Sequence, residues 1–415
     1  MIPIRFLGSL PAAAGLAMVT VASLASERPA TVPPAAANAR SLAHQRTPLP
    51  SAPPIRFDRL FKLEGTWGYG FRALAFSQDG RTLAATRFGG CKIPDVTLWD
   101  VGKRKLLHVL PHPGRDVGAI AFVPPGDRLV TGSFGTEKVF VWEVSSGKLL
   151  DTMDPEGGPS LLGVEGLAAF PDGNRVLCCV ATGLTVWDLR ARARTILPLD
   201  EYVPRAPNLP TIPRHCERVA FSADGSRFAT MVSDVCFANR ILVWDAKTCR
   251  VAGIIPVPHL QPDCAYAPVP HFQPRLAYSP NGRTLAAVYS DPPAAGDVIG
   301  VWDVATGREL LAGRVYDWGA HDLEYVRDGK YLLAAGMQDN PEPGRNAAAP
   351  RDAIGVWEVA TGRLVGRIAP VGAMTHMAIS PDNKLLAVPG RDIDVYAIEY
   401  AGESKSGSGI HYQQR

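Results

Sequence analysis

A surplus of one sign of charge is missing from this chain. Its 43 Lys and Arg stand against 40 Asp and Glu, a formal +3 over 415 residues. That is too small an excess to build the field needed for long contact with nucleic acid or an anionic membrane. Neither is expected as a partner, beyond what the N-terminal segment does. Catalytic signatures are missing too. There is no Gly-x-Ser-x-Gly, no His-Glu-x-x-His, no Walker phosphate loop and no Cys-x-x-Cys pair, so no cofactor and no catalytic residue is nominated.

Long apolar runs are scarce except at the start. Residues 1–26, "MIPIRFLGSLPAAAGLAMVTVASLAS", carry one charge at Arg5, an apolar run from Phe6, and small residues at Ser23 and Ala25 that suit a signal peptidase. A cleaved secretory signal is expected, and with it a secreted or periplasmic protein. An uncleaved anchor is the competing reading, weakened by Pro11 and several small residues. Residues 27–54 are rich in Ala and Pro and read as a linker.

What is present is repetition. "LAFSQDG", "IAFVPPGD", "LAAFPDGN", "VAFSADG", "LAYSPNG", "LEYVRDG" and "MAISPDN" recur in order, and each is followed by a second signature: "VTLWDV", "VFVWEV", "LTVWDL", "ILVWDA", "IGVWDV", "IGVWEV" and "IDVYAI". Asp-Gly and Asn-Gly supply the positive φ of a hairpin between twisted strands. In "IGVWDV", Ile299 and Val301 share one face of a strand while Trp302 and Val304 share the other. Both faces are apolar, so the strands are covered on both sides, as in small sheets stacked around an axis.

These units resemble the WD40 family, whose repeats form the four-stranded blades of a β-propeller. Trp99-Asp100, Trp187-Asp188, Trp244-Asp245 and Trp302-Asp303 keep the Trp-Asp pair, while Trp142 and Trp357 precede Glu. The resemblance implies an all-β, seven-bladed propeller of antiparallel blades over residues 55–400, with 401–415 as a tail. The Gly-His pair usual in that family is missing throughout, so its buried His, Ser, Trp, Asp network is not assigned. The seventh unit ends at "IDVYAI" without a fourth strand, and "DRLFKLEG", Asp58 to Gly65, matches the missing one. The N-terminal strand is therefore expected to complete the last blade and remove an open edge.

"VWDVATGREL" contains Asp-x-x-Thr-Gly, which also occurs in the docking turn of quinone-dependent dehydrogenases. There a Trp follows four residues after the Gly. Here that position holds Leu311, and the equivalents after Gly147 and Gly362 are Asp151 and Gly366. A plain turn between third and fourth strands is the better reading. Arg190, Arg192 and Arg194 in "LRARART" are read as edge protection on an outer strand rather than a phosphate strip.

Spare residues collect in two loop classes. From turn Gly to strand Trp the interval is fourteen residues at Gly173–Trp187 but twenty-eight at Gly329–Trp357. From Trp to the next turn Gly it is thirty-eight after Trp187 and after Trp244. These are the second-to-third-strand loops and the connections between blades, which alternation places at one end of the stack. Long loops in compact domains are usually functional or disordered. Trp67, Tyr69, Tyr202, Phe237, Tyr266, Phe272, Trp318 and His321 are expected on that face, as aromatic anchors for a protein or peptide partner or as packing between loops.

Cys178 and Cys179 read as core filling and Cys249 as part of a turn on the other face. A disulfide among Cys216, Cys236 and Cys264 is expected, with the pair left open. A metal site combining His215, His259 or His271 with Cys216 or Cys264 is weighed and not assigned. The expected function is a monomeric, non-catalytic interaction scaffold acting outside the cytoplasm through its enlarged loop face. A propeller hydrolase or lyase with a site at the channel mouth is the alternative.

Overall fold

The computed structural model describes residues 40–41, 53–64, 71–87, 95–113, 117–133, 138–154, 163–180, 183–199, 201–202, 219–233, 239–257, 275–290, 297–316, 320–338, 351–368, 376–390 and 392–401. These form seven antiparallel sheets, each in the order first, second, third, fourth strand from the inside outward. The first blade, for example, is Phe71–Phe76, Thr82–Arg87, Asp95–Asp100 and Lys105–Pro111. The inner strands of successive blades touch, and that of the seventh, Ala378–Ile379, returns to Phe71–Phe76, so the array closes as a ring.

The N-terminal strand closes the last blade as expected. Ile55–Leu63 pairs antiparallel with Ile393–Tyr400 from Ile55 opposite Tyr400 to Leu63 opposite Ile393. It also stitches both neighbouring interfaces: Ile55 packs into the cluster between the sixth and seventh blades, while Phe61 and Leu63 pack into the one between the seventh and first. One extra strand was not foreseen. Arg40–Ser41, within the expected linker, runs parallel to the outer strand of the fifth blade, opposite Leu311 and Ala312, and makes that sheet five-stranded.

Apolar alternation on both faces of each strand dictates where the core lies. It is divided into seven clusters, each shared by two adjacent blades. The repeated Trp is the largest member of most of them, and Trp142, Trp244 and Trp302 are at most 2% exposed. Burying an indole this fully is worth on the order of 4 kcal/mol. Its N–H must also be satisfied. In three blades a threonine accepts it: Thr97 for Trp99, Thr131 for Trp142 and Thr230 for Trp244, at 2.9–3.0 Å. In the fifth and sixth blades the indole lies over a glycine two residues earlier. A Cβ on Gly300 or Gly355 would sit 2.2 or 2.0 Å from the ring.

Candidate interaction surface

The turn between first and second strands is built from a few residues. In the first blade the Ser77 hydroxyl donates to Asp79 at 2.6 Å and accepts the Thr82 N–H at 2.9 Å, while Asp79 also accepts from the Arg81 N–H. The pattern repeats with Ser222 and Asp224, Ser279 and Asn281, and Ser380 and Asp382. The chain reverses through a left-handed residue, Gly80 or Gly225, with Asn383 at φ 58° in the seventh blade. Hydrogen bonds from Ser222 and from the Ser226 backbone and hydroxyl hold the Asp224 carboxyl down to about 2. The Ser77 hydroxyl does the same, less strongly, for Asp79.

The turn between third and fourth strands uses the acidic half of the Trp-Asp pair. Asp100, Asp188, Asp245 and Asp303 each accept the backbone N–H three residues on, at 2.7–2.8 Å. The fourth residue after each is left-handed. Gly147, Gly307 and Gly362 fill that place in three blades, and Arg104, Arg192 and Cys249 fill it at φ 54–56° in three others. This settles the reading of "VWDVATGREL": the Thr306 hydroxyl donates to Asp303 at 2.7 Å and the Gly307 N–H to the Asp303 carbonyl, closing a turn. Leu311 is buried in the blade, at 2% exposure.

Alternation sends both loop classes with spare residues to the opposite end, where the inner strands begin. Tyr202 lies there, five residues past the outer strand Ala193–Leu197. Its ring meets Trp244 edge-on at 6.1 Å, and its carbonyl accepts from the Arg240 guanidinium at 2.7 Å. Partial burial raises its phenol above the usual range. Of the expected anchors, this one joins the third blade to the fourth. His321 is the second residue of the inner strand Ala320–Val326 and is half-buried. Beside it the buried Asp322 accepts the Met377 N–H at 2.8 Å, with His376 Nδ1 at 3.8 Å, tying the sixth blade to the seventh.

Trp67, Tyr69, Phe237, Tyr266, Phe272 and Trp318 lie outside the described residues, as do Cys216, Cys236, Cys264, Cys91, His215, His259, His271 and the segment 1–26. Cys178 and Cys179 are buried, at 1% and 0% exposure, as core filling requires. Cys249 is unbridged and takes the Arg175 guanidinium at 3.7 Å. Among the described residues no group of three or more His, Cys, Asp or Glu side chains is placed to hold a metal ion.

Two local readings need correction. Arg190 and Arg192 fall in the turn before the outer strand rather than within it, because the left-handed residue of that turn is Arg192 itself. Its guanidinium reaches across to Asp151 of the second blade and to the Thr152 carbonyl. Part of the imidazole network also exists despite the missing Gly-His. The buried His112 Nε2 meets Thr131 Oγ1 at 2.9 Å, and the same oxygen accepts Trp142 Nε1–H. "LPHPGRDV" carries this His without a preceding Gly, so the dipeptide is a poor guide to it.

No family model matches the chain. Among curated proteins it is similar to mouse WD repeat-containing protein 90, with 32% identity over 124 residues. The matched segment is 28% of this chain and spans only 6% of that much longer protein.

Proposed function

We propose that this chain, which belongs to the WD40-repeat β-propellers, is a rigid protein-interaction scaffold that engages its partner through the enlarged loop end, outside the cytoplasm. The observation that carries the reading is the contrast between the two ends of the same blades. At one end the polar side chains are engaged in holding turns together, as with Asp79, Asp224 and Asp303. At the other end the connections lengthen to three times a hairpin's needs and bring in aromatic residues. A propeller enzyme would need an acid or base available for proton transfer, whereas Asp322 and His376 tie one inner strand to the next.

Affinity capture from the extracytoplasmic fraction tests the proposal, using the wild-type chain and the Trp67→Ala and Trp318→Ala variants. Both variants should lose at least tenfold in capture, since a central aromatic anchor is worth about 2 kcal/mol, with the melting temperature within about 2 °C of the parent. Tyr202→Ala should instead lower the melting temperature, because its ring packs on Trp244. Undiminished capture by both Trp variants would remove the loop end as the binding site. Intact mass of the mature protein should lack residues 1 to about 25, and material beginning at Met1 would remove the extracytoplasmic assignment.

A further inference from the structure

We infer that the outer rim of the first and second blades is a second docking surface, for an extended protein segment that alternates apolar and basic side chains. Among the described residues, the large apolar side chains left exposed are Leu106, Leu107, Val109, Leu149, Leu150 and Ile196, at 36–63%. All lie on the outer strands of the first three blades, and none on those of the other four. Outer strands of a repeat ring are open edges, which are ordinarily protected by charge. "KLLHVLP" in the first blade is instead apolar at its centre.

A hollow of about 440 Å³ opens at the tight-turn end of the first and second blades, and Leu150 joins it to this strip. Leu150, Val144, Asp79, Asp127, Glu143 and Arg128 line it. His108, on the outer strand of the first blade, meets the Ser145 carbonyl of its lining at 2.9 Å. Three carboxylates and one guanidinium line it: Arg128 pairs with Asp127 at 3.8 Å and donates at 2.6 Å to the Gly173 carbonyl of the third blade, while Asp79 accepts from Ser77 and Glu143 from Ser146, which leaves the lining with a net negative charge. The site therefore suits a cation with an apolar neighbour: Lys or Arg in the hollow, and Leu-like groups on Leu106, Leu149 and Leu150. An extended backbone would align both along the edge strand by strand addition. That an edge of this ring takes an added strand is already seen in the fifth blade, where Arg40–Ser41 lies along the outer strand. The site is remote from the loop end, so the two proposals stand or fall separately.

The test is fluorescence anisotropy of the full chain with a labelled seven-residue peptide of alternating Leu and Lys, against Leu/Glu and Ser/Lys versions. The Leu/Lys peptide should bind at least tenfold more tightly than either control. Leu150→Ser should weaken it about tenfold and Asp127→Asn about threefold. Neither exposed substitution should move the melting temperature. Binding that survives both substitutions, or equal binding of the Ser/Lys peptide, would overturn the site. So would a wild-type dimer on gel filtration that Leu107→Ser converts to monomer, since a second copy would then cover the rim.

Discussion

At the tight-turn end, four of the seven hairpins between inner strands reuse one design, a serine hydroxyl and an Asp or Asn side chain braced across a left-handed residue. At the loop end the same strands part into connections that range from a few residues to more than fifteen. The first arrangement leaves polar groups satisfied and little freedom to vary. The second leaves length and composition free, because strands pinned at one end and packed against neighbouring blades tolerate long insertions at the other. Stability should therefore reside in blade packing and the tight turns, and recognition in the loops.

The largest effect expected from breaking the packing side of this contrast is at the ring's closure. Deleting residues 55–63 removes Ile55, Phe61 and Leu63 from two inter-blade clusters and exposes the backbone of Ile393–Tyr400. The truncated chain should lose its cooperative melt, or aggregate at temperatures where the parent is folded. Melting followed by circular dichroism and light scattering would show it, and a truncated chain that melts like the parent would refute closure by this strand.

Next comes a pair of glycines on the third and fourth strands. Gly355→Ala places a Cβ 2.0 Å from the Trp357 ring and should cost about 2–3 kcal/mol, whereas Gly253→Ala meets only Val243 Cβ at 4.0 Å and should cost less than about 0.5 kcal/mol. Equal denaturation midpoints for the two variants would contradict the stacking of the indole on bare backbone.

Glu309 sharpens the contrast from within the tight-turn end, where one carboxyl oxygen is buried without a hydrogen-bond partner. Burial raises the group from 4.5 to about 6. The folded state thus prefers the protonated form, and its stability contribution is complete below pH 4.5 and lost as pH rises through 6. Glu309→Gln should remove this dependence and stabilise the chain at pH 7 by about 1 kcal/mol, after allowance for partial exposure. Melting temperatures of parent and variant between pH 4.5 and 7.5 would test the sign.

The smallest effect concerns the left-handed position that Gly307 fills in the fifth blade and Cys249 in the fourth. Cys249→Gly relieves a non-glycine residue at φ 54° and should stabilise by about 0.5–1 kcal/mol, less whatever the Arg175 contact provides. A lower denaturation midpoint would show that the contact outweighs the backbone strain.

Much of this was legible in the sequence. Alternation on both faces and the twice-signed repeat led to seven blades, and the match of Asp58 to Gly65 to the missing strand led to closure. The turn at Asp303 was legible because its chemistry is local, three residues reaching their own backbone. His112, Arg192 and Arg40–Ser41 were not. Each makes its contact outside its own hairpin, to Thr131, Asp151 and Leu311, and nothing in neighbouring residues records a partner that only the packing of the folded chain brings near. Of the loop anchors, Tyr202 illustrates why aromatic content alone cannot separate recognition from packing, since its ring rests on Trp244. His321, expected among the loop-face anchors, is the second residue of the inner strand Ala320–Val326.

Hydrogen–deuterium exchange of the full chain, with and without its captured partner, tests the division of labour most directly. The account predicts that added protection falls in peptides covering residues 203–218, 258–274 and 339–350, with none in the tight turns at 77–82, 222–227 and 303–308. Protection confined to those tight turns, with the long connections unchanged, would contradict it.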